Sequence, residues 1–319
     1  MKVKDEVLLI LEQNLNLYNS GSQMALDLKV SRNAIWKAIN ELKSEGYEIV
    51  SKNPGGYKLL SNKHIVSKNN ILSKISNKNV RLEYLEEVSS TNDYLKNLLH
   101  KDLEQYYCVI SKNQSRGKGR NGKSFYSPNK TGVYFSILLR PDFNINKSLL
   151  ITTATAVAMC KTIEEFSNKY SSIKWVNDIF IGDKKVCGIL TEGSFDFDKN
   201  KLSHVIVGVG VNLFKPLKNF PLEIQNSAGY ILKDYNPYIM EDFIASMINS
   251  IIYHYENIDS KEIYEYYREK SYLNNKEVRF LYKGELVEGL VIDVDESFNL
   301  VINKNKEKIH LSSGSVEVI

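Results

Sequence analysis

Residues 205–213 read Val-Ile-Val-Gly-Val-Gly-Val-Asn-Leu, an apolar run with five β-branched residues that suits a strand buried inside a sheet. A central sheet is therefore expected, with Gly208 and Gly210 marking places where another group comes close to the backbone. The Gly-x-Gly spacing invites a dinucleotide reading. No third glycine and no helix follow, however, and Lys215-Pro216 ends the run.

A chain of 319 residues exceeds one small core, so two or three domains are expected. A composition 43% hydrophobic and 25% charged suits a packed globule and excludes wholesale disorder. The net charge of +4 permits nucleic-acid contact without arguing for it. Cys108, Cys160 and Cys187 are far apart and form no C-x-x-C pair, which reads as reduced thiols in a cytoplasmic protein. The charged start, Met1 to Glu6, lacks the form of a secretory signal, and no apolar run approaches the roughly 20 residues of a membrane span. The five histidines show no paired ligand spacing, so no resident metal site is expected.

The first sixty residues read as three short helices and a hairpin. Val7, Leu8, Ile10 and Leu11 give the first helix its apolar side. Ser20 with Gln23 forms a capping-box start for the second, and Ser31 caps the third. In the third helix Ala34, Ile35, Ala38, Ile39 and Leu42 face inward, while Arg32, Asn33, Trp36 and Lys37 face out. Tyr47–Val50 and Tyr57–Leu60 read as strands joined by a turn at Asn53-Pro54-Gly55-Gly56. This order is that of a winged helix-turn-helix, with Ser31, Arg32, Asn33, Trp36 and Lys37 as the expected DNA-binding residues. Residues 1–66 hold nine Lys/Arg against seven Asp/Glu, a weak footprint that would make DNA affinity depend on dimerisation. Trp36 reads equally well as a half-buried packing residue.

A polar stretch from Ser61 to Asn70 reads as a linker, followed by a strand over Val80–Leu85. Ser89-Ser90-Thr91-Asn92-Asp93 then opens a helix. Its hydroxyl and amide side chains cap that helix and also offer hydrogen bonds to a polar ligand. After a strand over Tyr107–Ser111 comes the loop Gln114 to Lys123, with three glycines, four basic residues and no acid. Glycine permits close approach and the cations neutralise phosphate, although the P-loop spacing is absent. From the residues alone, an anion-binding loop and a solvated basic loop stand level. Lys174 to Ile179 precede a turn at Gly182-Asp183, and Lys185 begins the next strand, either as an edge residue or as a ligand-facing cation beside Gly188.

Taken in order, Ser90-Thr91-Asn92, Gln114 with Gly117-Lys118-Gly119-Arg120-Asn121-Gly122, Lys174-Trp175-Val176-Asn177-Asp178, Lys185 with Gly188-Ile189-Leu190, and Gly208 to Asn212 resemble the biotin–protein ligases. The helix-turn-helix resembles the subgroup in which the ligase doubles as the biotin-operon repressor. Where that family usually has Arg, Pro and Trp, this chain has Lys118, Val176 and Phe125. The resemblance implies an α+β protein in three parts: a winged helix-turn-helix over residues 1–62, a mixed-sheet catalytic domain over 63–272, and a small SH3-like barrel over 273–319. It implies that biotin and ATP, with Mg²⁺, form biotinyl-AMP, and that a lysine of a biotin carrier domain then takes the biotinyl group.

By the same resemblance, Lys185 and Arg120 are catalytic. Ser90, Thr91, Asn92, Gln114, Gly117, Lys118, Gly119, Arg120, Lys185 and Gly188 hold biotin. Lys118, Arg120, Phe125, Asn177 and Asn212 face ATP or the adenylate, and the role of Asp178 stays open. Operator DNA and a homodimer formed on adenylate binding are the other implied partners. Two alternatives remain: a lipoate-type ligase on the same core, and a transcription factor whose ligase-like core only senses a ligand. Met240 to Tyr253 reads as a packing helix, Tyr264 to Tyr267 as helical surface and core, and Glu277 to Ile319 as short strands separated by turns. That terminal barrel serves either as a contact for ligand-bound loops or carrier, or as a lid on the core.

Overall fold

The structure, a computed structural model, describes residues 3–44, 46–60, 66–143, 148–196 and 201–319. They form two compact units, Met1–Ser73 with Asn236–Asp242, and Lys74–Tyr235 with Phe243–Ile319.

In the first unit α1 (Val3–Gln13), α2 (Gly21–Asp27) and α3 (Arg32–Ser44) precede a hairpin of β1 (Ile49–Lys52) and β2 (Gly56–Leu59). Val7, Leu11, Ile35, Ile39, Leu42 and Leu59 close a common core, as the apolar spacing predicts. Ser20 Oγ accepts from Gln23 N at 3.4 Å, and Ser31 Oγ accepts from Ala34 N at 3.1 Å. The reciprocal half of the capping box is not made. Gln23 Nε2 instead donates to Asp27 Oδ1 at 2.8 Å, because a carboxylate one turn away is the stronger partner. Gly56 sits at φ 95° with Asn19 O only 2.0 Å from where a Cβ would be, so the hairpin turn requires glycine there.

Of the expected linker Ser61–Asn70, residues 61–65 lie outside the described residues, and its end is not a linker. A helix, α4 (Lys68–Ser73), begins there, with Ser67 Oγ accepting from Asn70 N at 3.3 Å and Ile71 buried. Polar composition concealed a capped helix.

The second unit contains β3 (Arg81–Val88), α5 (Thr91–Leu98), β4 (Tyr107–Gln114), β5 (Val133–Leu139), α6 (Ser148–Ser167), β6 (Ser172–Lys174), β7 (Asp178–Ile181), β8 (Lys184–Asp196) and β9 (Lys201–Val211). These strands make one mixed sheet in the order β3-β4-β5-β9-β8-β7-β6, parallel only between β3 and β4. The apolar run met first in the sequence is β9, the middle strand. Strand alternation puts Ile206, Gly208 and Gly210 on one face, beside Ser136 and Leu138 of β5 and Gly188, Leu190 and Glu192 of β8. Leu95 of α5 packs on that face with Val109, Leu138 and Ile206. Thr152 of α6 bonds Thr191 of β8 across a 2.8 Å contact.

After α7 (Pro237–Glu256) and α8 (Lys261–Glu269), strands β10 (Glu277–Tyr282), β11 (Glu285–Val294), β12 (Leu300–Lys304), β13 (Glu307–Leu311) and β14 (Val316–Val318) form an antiparallel sheet ordered β13-β12-β11-β10-β14. The tyrosine-rich stretch is α8. It ties this sheet to the rest of its unit, because Tyr267 is fully buried and donates to Val176 O, Tyr264 donates to Val294 O, and Arg268 grips Asp293 through two 2.6 Å bonds. Among the described residues no helix is long and apolar enough to cross a membrane.

Candidate active site

Five separated segments meet over the α5-covered face of the sheet. Ser90 leaves β3 in an extended conformation and caps α5, accepting from Asp93 N at 3.5 Å. The next residue donates its backbone N–H to Gln114 Oε1 at 2.8 Å, with Thr91 Oγ1 3.1 Å from the same oxygen. Gln114 ends β4, and its Nε2 donates to Ser127 Oγ at 3.0 Å. The amide is thereby held at both ends. From there the basic loop crosses the sheet. Lys118 pairs with Asp93 at 2.6 Å, and Arg120 Nη1 donates to Asn177 Oδ1 at 2.9 Å. Asn177 Nδ2 donates to Ile189 O at 2.7 Å, and Lys185 pairs with Asp178 at 2.7 Å.

All of these residues but Asp93 and Ser127 line a cavity that also receives Asn92, Gly119, Phe125, Phe135, Gly188, Leu190, Gly208 and Gly210. Its floor is glycine because side chains of the chain itself lie there. Gly188 and Gly210 are cross-strand partners, and the Phe125 ring crosses both. A Cβ on Gly210 would come within 2.6 Å of that ring, and one on Gly208 within 2.3 Å of Asn92 Oδ1. The sequence suggests close approach at both glycines, and the atoms that approach are Phe125 and Asn92.

Three cations, Lys118, Arg120 and Lys185, surround the cavity. Two are paired with carboxylates, and Arg120 is held by the neutral Asn177 amide. An incoming polyanion can exchange with Asp93 and Asp178 for the lysines, and it meets in Arg120 a planar fork suited to phosphate or carboxylate. Burial holds the Lys174 ammonium below its usual range; Asp178 opposes that shift, while Lys185 and Lys123 add to it. The Cys187 thiol is fully buried behind the site, and that burial pushes its pKa well up.

Two expected residues do not line the cavity. Gly117 fits under the loop, with a would-be Cβ 2.4 Å from Phe125 O. Asn212 lies past the end of β9, where its N–H donates to Val186 O and its carbonyl accepts from Ile231 N. Conversely, Asp93, Ser136 and Glu192 were missed. Asp93 followed Ser90 at capping distance, a usable signal, whereas Ser136 and Glu192 reach the site only through strand pairing.

In the first unit, Ser31 just before α3 and Arg32, Asn33, Trp36 and Lys37 on its first turns all lie exposed, with Trp36 54% accessible. Trp36 thus stands outside the core with about half of its surface covered. Arg32 Nη2 donates to Ser22 Oγ, aligning the starts of α2 and α3. An open groove beside them is lined by Ser20, Ser22, Arg32, Lys52 and Tyr57.

This chain belongs to the biotin/lipoate A/B protein ligase family, whose pattern matches residues 84–212, and residues 4–58 match an HTH domain. Among its relatives, the bifunctional ligase/repressor BirA of Bacillus subtilis (strain 168) is 32% identical over 228 residues, 71% of this chain and 70% of that protein. The BirA of Escherichia coli (strain K12) is 26% identical over 196 residues, 61% of this chain and 60% of its own length. The fold is shared with a biotin protein ligase from Aquifex aeolicus solved in complex with biotin and ATP. That match has a TM-score of 0.62 at 24% identity and covers 75% of this chain and 98% of the other.

Proposed function

We propose that this chain is an ATP-dependent biotin–protein ligase that also represses transcription through its N-terminal helix-turn-helix. The observation that carries the reading is the convergence of Thr91, Gln114, Arg120, Asn177 and Lys185 on one glycine-floored cavity. A carboxylate oxygen of biotin attacks the α-phosphorus of ATP, the bond to pyrophosphate breaks, and biotinyl-AMP forms. The ε-amine of a carrier lysine then attacks the acyl carbon, AMP departs, and the amine loses a proton as the amide forms.

Biotin carboxylate and triphosphate repel each other, so Lys185 and Arg120 act as the catalytic cations that hold them together. Ser90, Thr91, Asn92, Gln114 and the Gly117–Gly119 backbone hold the ureido end of biotin, and Gly188 lies under its chain. Lys118, Arg120, Phe125 and Asn177 serve the adenylate, and Mg²⁺ arrives with ATP as part of that substrate. Asp178, ion-paired with Lys185, serves either to hold the loops, to help the incoming amine or as a structural partner of that lysine.

Domains over residues 1–62, 63–272 and 273–319, the last an SH3-like barrel, divide these tasks. Operator binding uses Ser31, Arg32, Asn33, Trp36 and Lys37, in a homodimer that forms on biotinyl-AMP in the cytoplasm. Biotin-dependent ATP–pyrophosphate exchange tests the reading. Exchange with biotin but not lipoate or octanoate supports it, and exchange only with lipoate would reassign the substrate. No exchange alongside biotin binding would leave a ligand sensor. Gel shifts on biotin-operon DNA test the repressor half: identical weak binding with and without biotinyl-AMP rejects it.

A further inference from the structure

Strand register lays a row of residues across one face of the sheet. Lys174 of β6 pairs with Asp178 of β7, Asp178 with Gly188 of β8, and Gly188 with Gly210 of β9. Such cross-strand partners share a face, with Cβ atoms about 4.5–5.5 Å apart. The two glycines yield their places in the row to other side chains. Lys185 Nζ lies 3.2 Å from where a Gly188 Cβ would be, and the Phe125 ring covers Gly210. Asp178 therefore has a lysine on either side: Lys185, which lines the cavity, and Lys174, which does not.

The two lysines differ in what they hold. Lys185 Nζ lies 2.7 Å from Asp178 Oδ1, and Asn177 Nδ2 donates to the same oxygen at 3.3 Å, so Oδ2 takes part in neither bond. Lys174 makes no ion pair among the described residues; its ammonium is half-buried and lies 5.8 Å over the Phe180 ring. A half-buried ammonium without a counter-ion is costly, and Asp178 is the carboxylate that most favours its charge, ahead of Glu317. Adenylation, meanwhile, asks Lys185 to leave Asp178 for the biotin carboxylate and the triphosphate. Its backbone stays put, because its N–H donates to Ser227 O and its carbonyl accepts from Gly229 N, so only the side chain moves. A carboxylate left behind without a cation would repel the substrate and draw Lys185 back.

We propose that Lys174 is a positioning residue, the cation to which Asp178 turns when Lys185 moves onto the anions of the substrates, so that Lys185 is released while Asp178 stays charged and in place. The proposal rests on the biotin-ligase reading, which supplies those anions. Lys174 acts through Asp178 alone. Its loss therefore leaves Lys185 held by the carboxylate, and it loses its effect once that carboxylate is gone.

A double-mutant cycle on the full chain tests this, read as biotinyl-AMP formation from biotin and Mg-ATP in a single turnover. In K174M and in K174Q the rate is expected to fall roughly tenfold. In a D178N background the same substitutions are expected to change the rate by less than about twofold. K174R, which keeps the charge, is expected to stay within about threefold of the wild type. Thermal unfolding identifies which variants remain folded. A wild-type rate in folded K174M or K174Q overturns the proposal. An equal loss with Asp178 and with D178N also overturns it, since that marks a lysine that only supports the fold. Both results leave the ligase reading standing, whereas a wild-type chain that forms no biotinyl-AMP overturns both.

Discussion

Replacing Lys185 by alanine separates the chemistry of the site from its stability. The Lys185–Asp178 pair is short, at 2.7 Å, but its side chains are 33% and 26% exposed. A pair open to solvent to this degree contributes about 0.2–1 kcal/mol, so Lys185→Ala moves the unfolding midpoint by no more than about 4 °C in a unit of this size. The catalytic effect is larger, because the ammonium would neutralise charge where carboxylate and triphosphate meet. Losing one such preorganised group lowers a rate by roughly 10²–10³, or about 2.7–4 kcal/mol of barrier. Biotinyl-AMP formation in a single turnover, quenched and separated by chromatography, measures that rate alongside a thermal melt. A variant that melts with the wild type yet forms adenylate within about threefold of its rate would refute the assignment of Lys185 as a catalytic cation.

Three further outcomes are expected. Gly208→Ala forces its new methyl onto Asn92 Oδ1 and breaks buried hydrogen bonds to Ser136 and Glu192, costing about 2–4 kcal/mol, readable as a lower urea midpoint. His254 is buried, with Nδ1 bonded to Ser250 O and Nε2 without a partner among the described residues. Burial holds its pKa below 6.5, helped by Lys161 and opposed by the Ser250 bond and Glu262. The unfolded chain then takes up this proton first, so stability is full above about pH 6.5 and declines as pH falls toward the folded value; urea titrations at neutral and acid pH should show His254→Gln removing part of that slope, and an unchanged slope would exclude His254 as a contributor. Trp36→Ala, at a position 54% exposed, should change stability by less than about 0.5 kcal/mol while weakening operator binding about tenfold in fluorescence anisotropy, and undiminished affinity would remove Trp36 from the DNA contact.

Local chemistry made much of the fold readable. Ser20, Ser31 and Ser90 each cap the helix they precede, the apolar run lies in the middle strand through Val211, and Gly182-Asp183 turns between β7 and β8. These features depend on neighbours a few residues away. The helix at Lys68–Ser73 escaped because its packing, not its periodicity, holds it. In the site, motif order located Thr91, Gln114, Arg120, Asn177 and Lys185. What it did not reveal was partnership: that Asp93 would face Lys118, that Phe125 would cover two paired glycines, or that Glu192 would orient Asn92 across 100 residues. Strand register decides those contacts, and register between distant strands leaves no local trace in composition.

The intact mass of an apo biotin-carrier domain, after incubation with the purified chain, biotin and Mg-ATP, tests the ligase activity most directly. A gain of one biotinyl group per carrier is expected, lost when the acceptor lysine is replaced. An unmodified carrier in the presence of protein that demonstrably binds biotin would contradict the ligase assignment and leave a biotin-sensing regulator in its place.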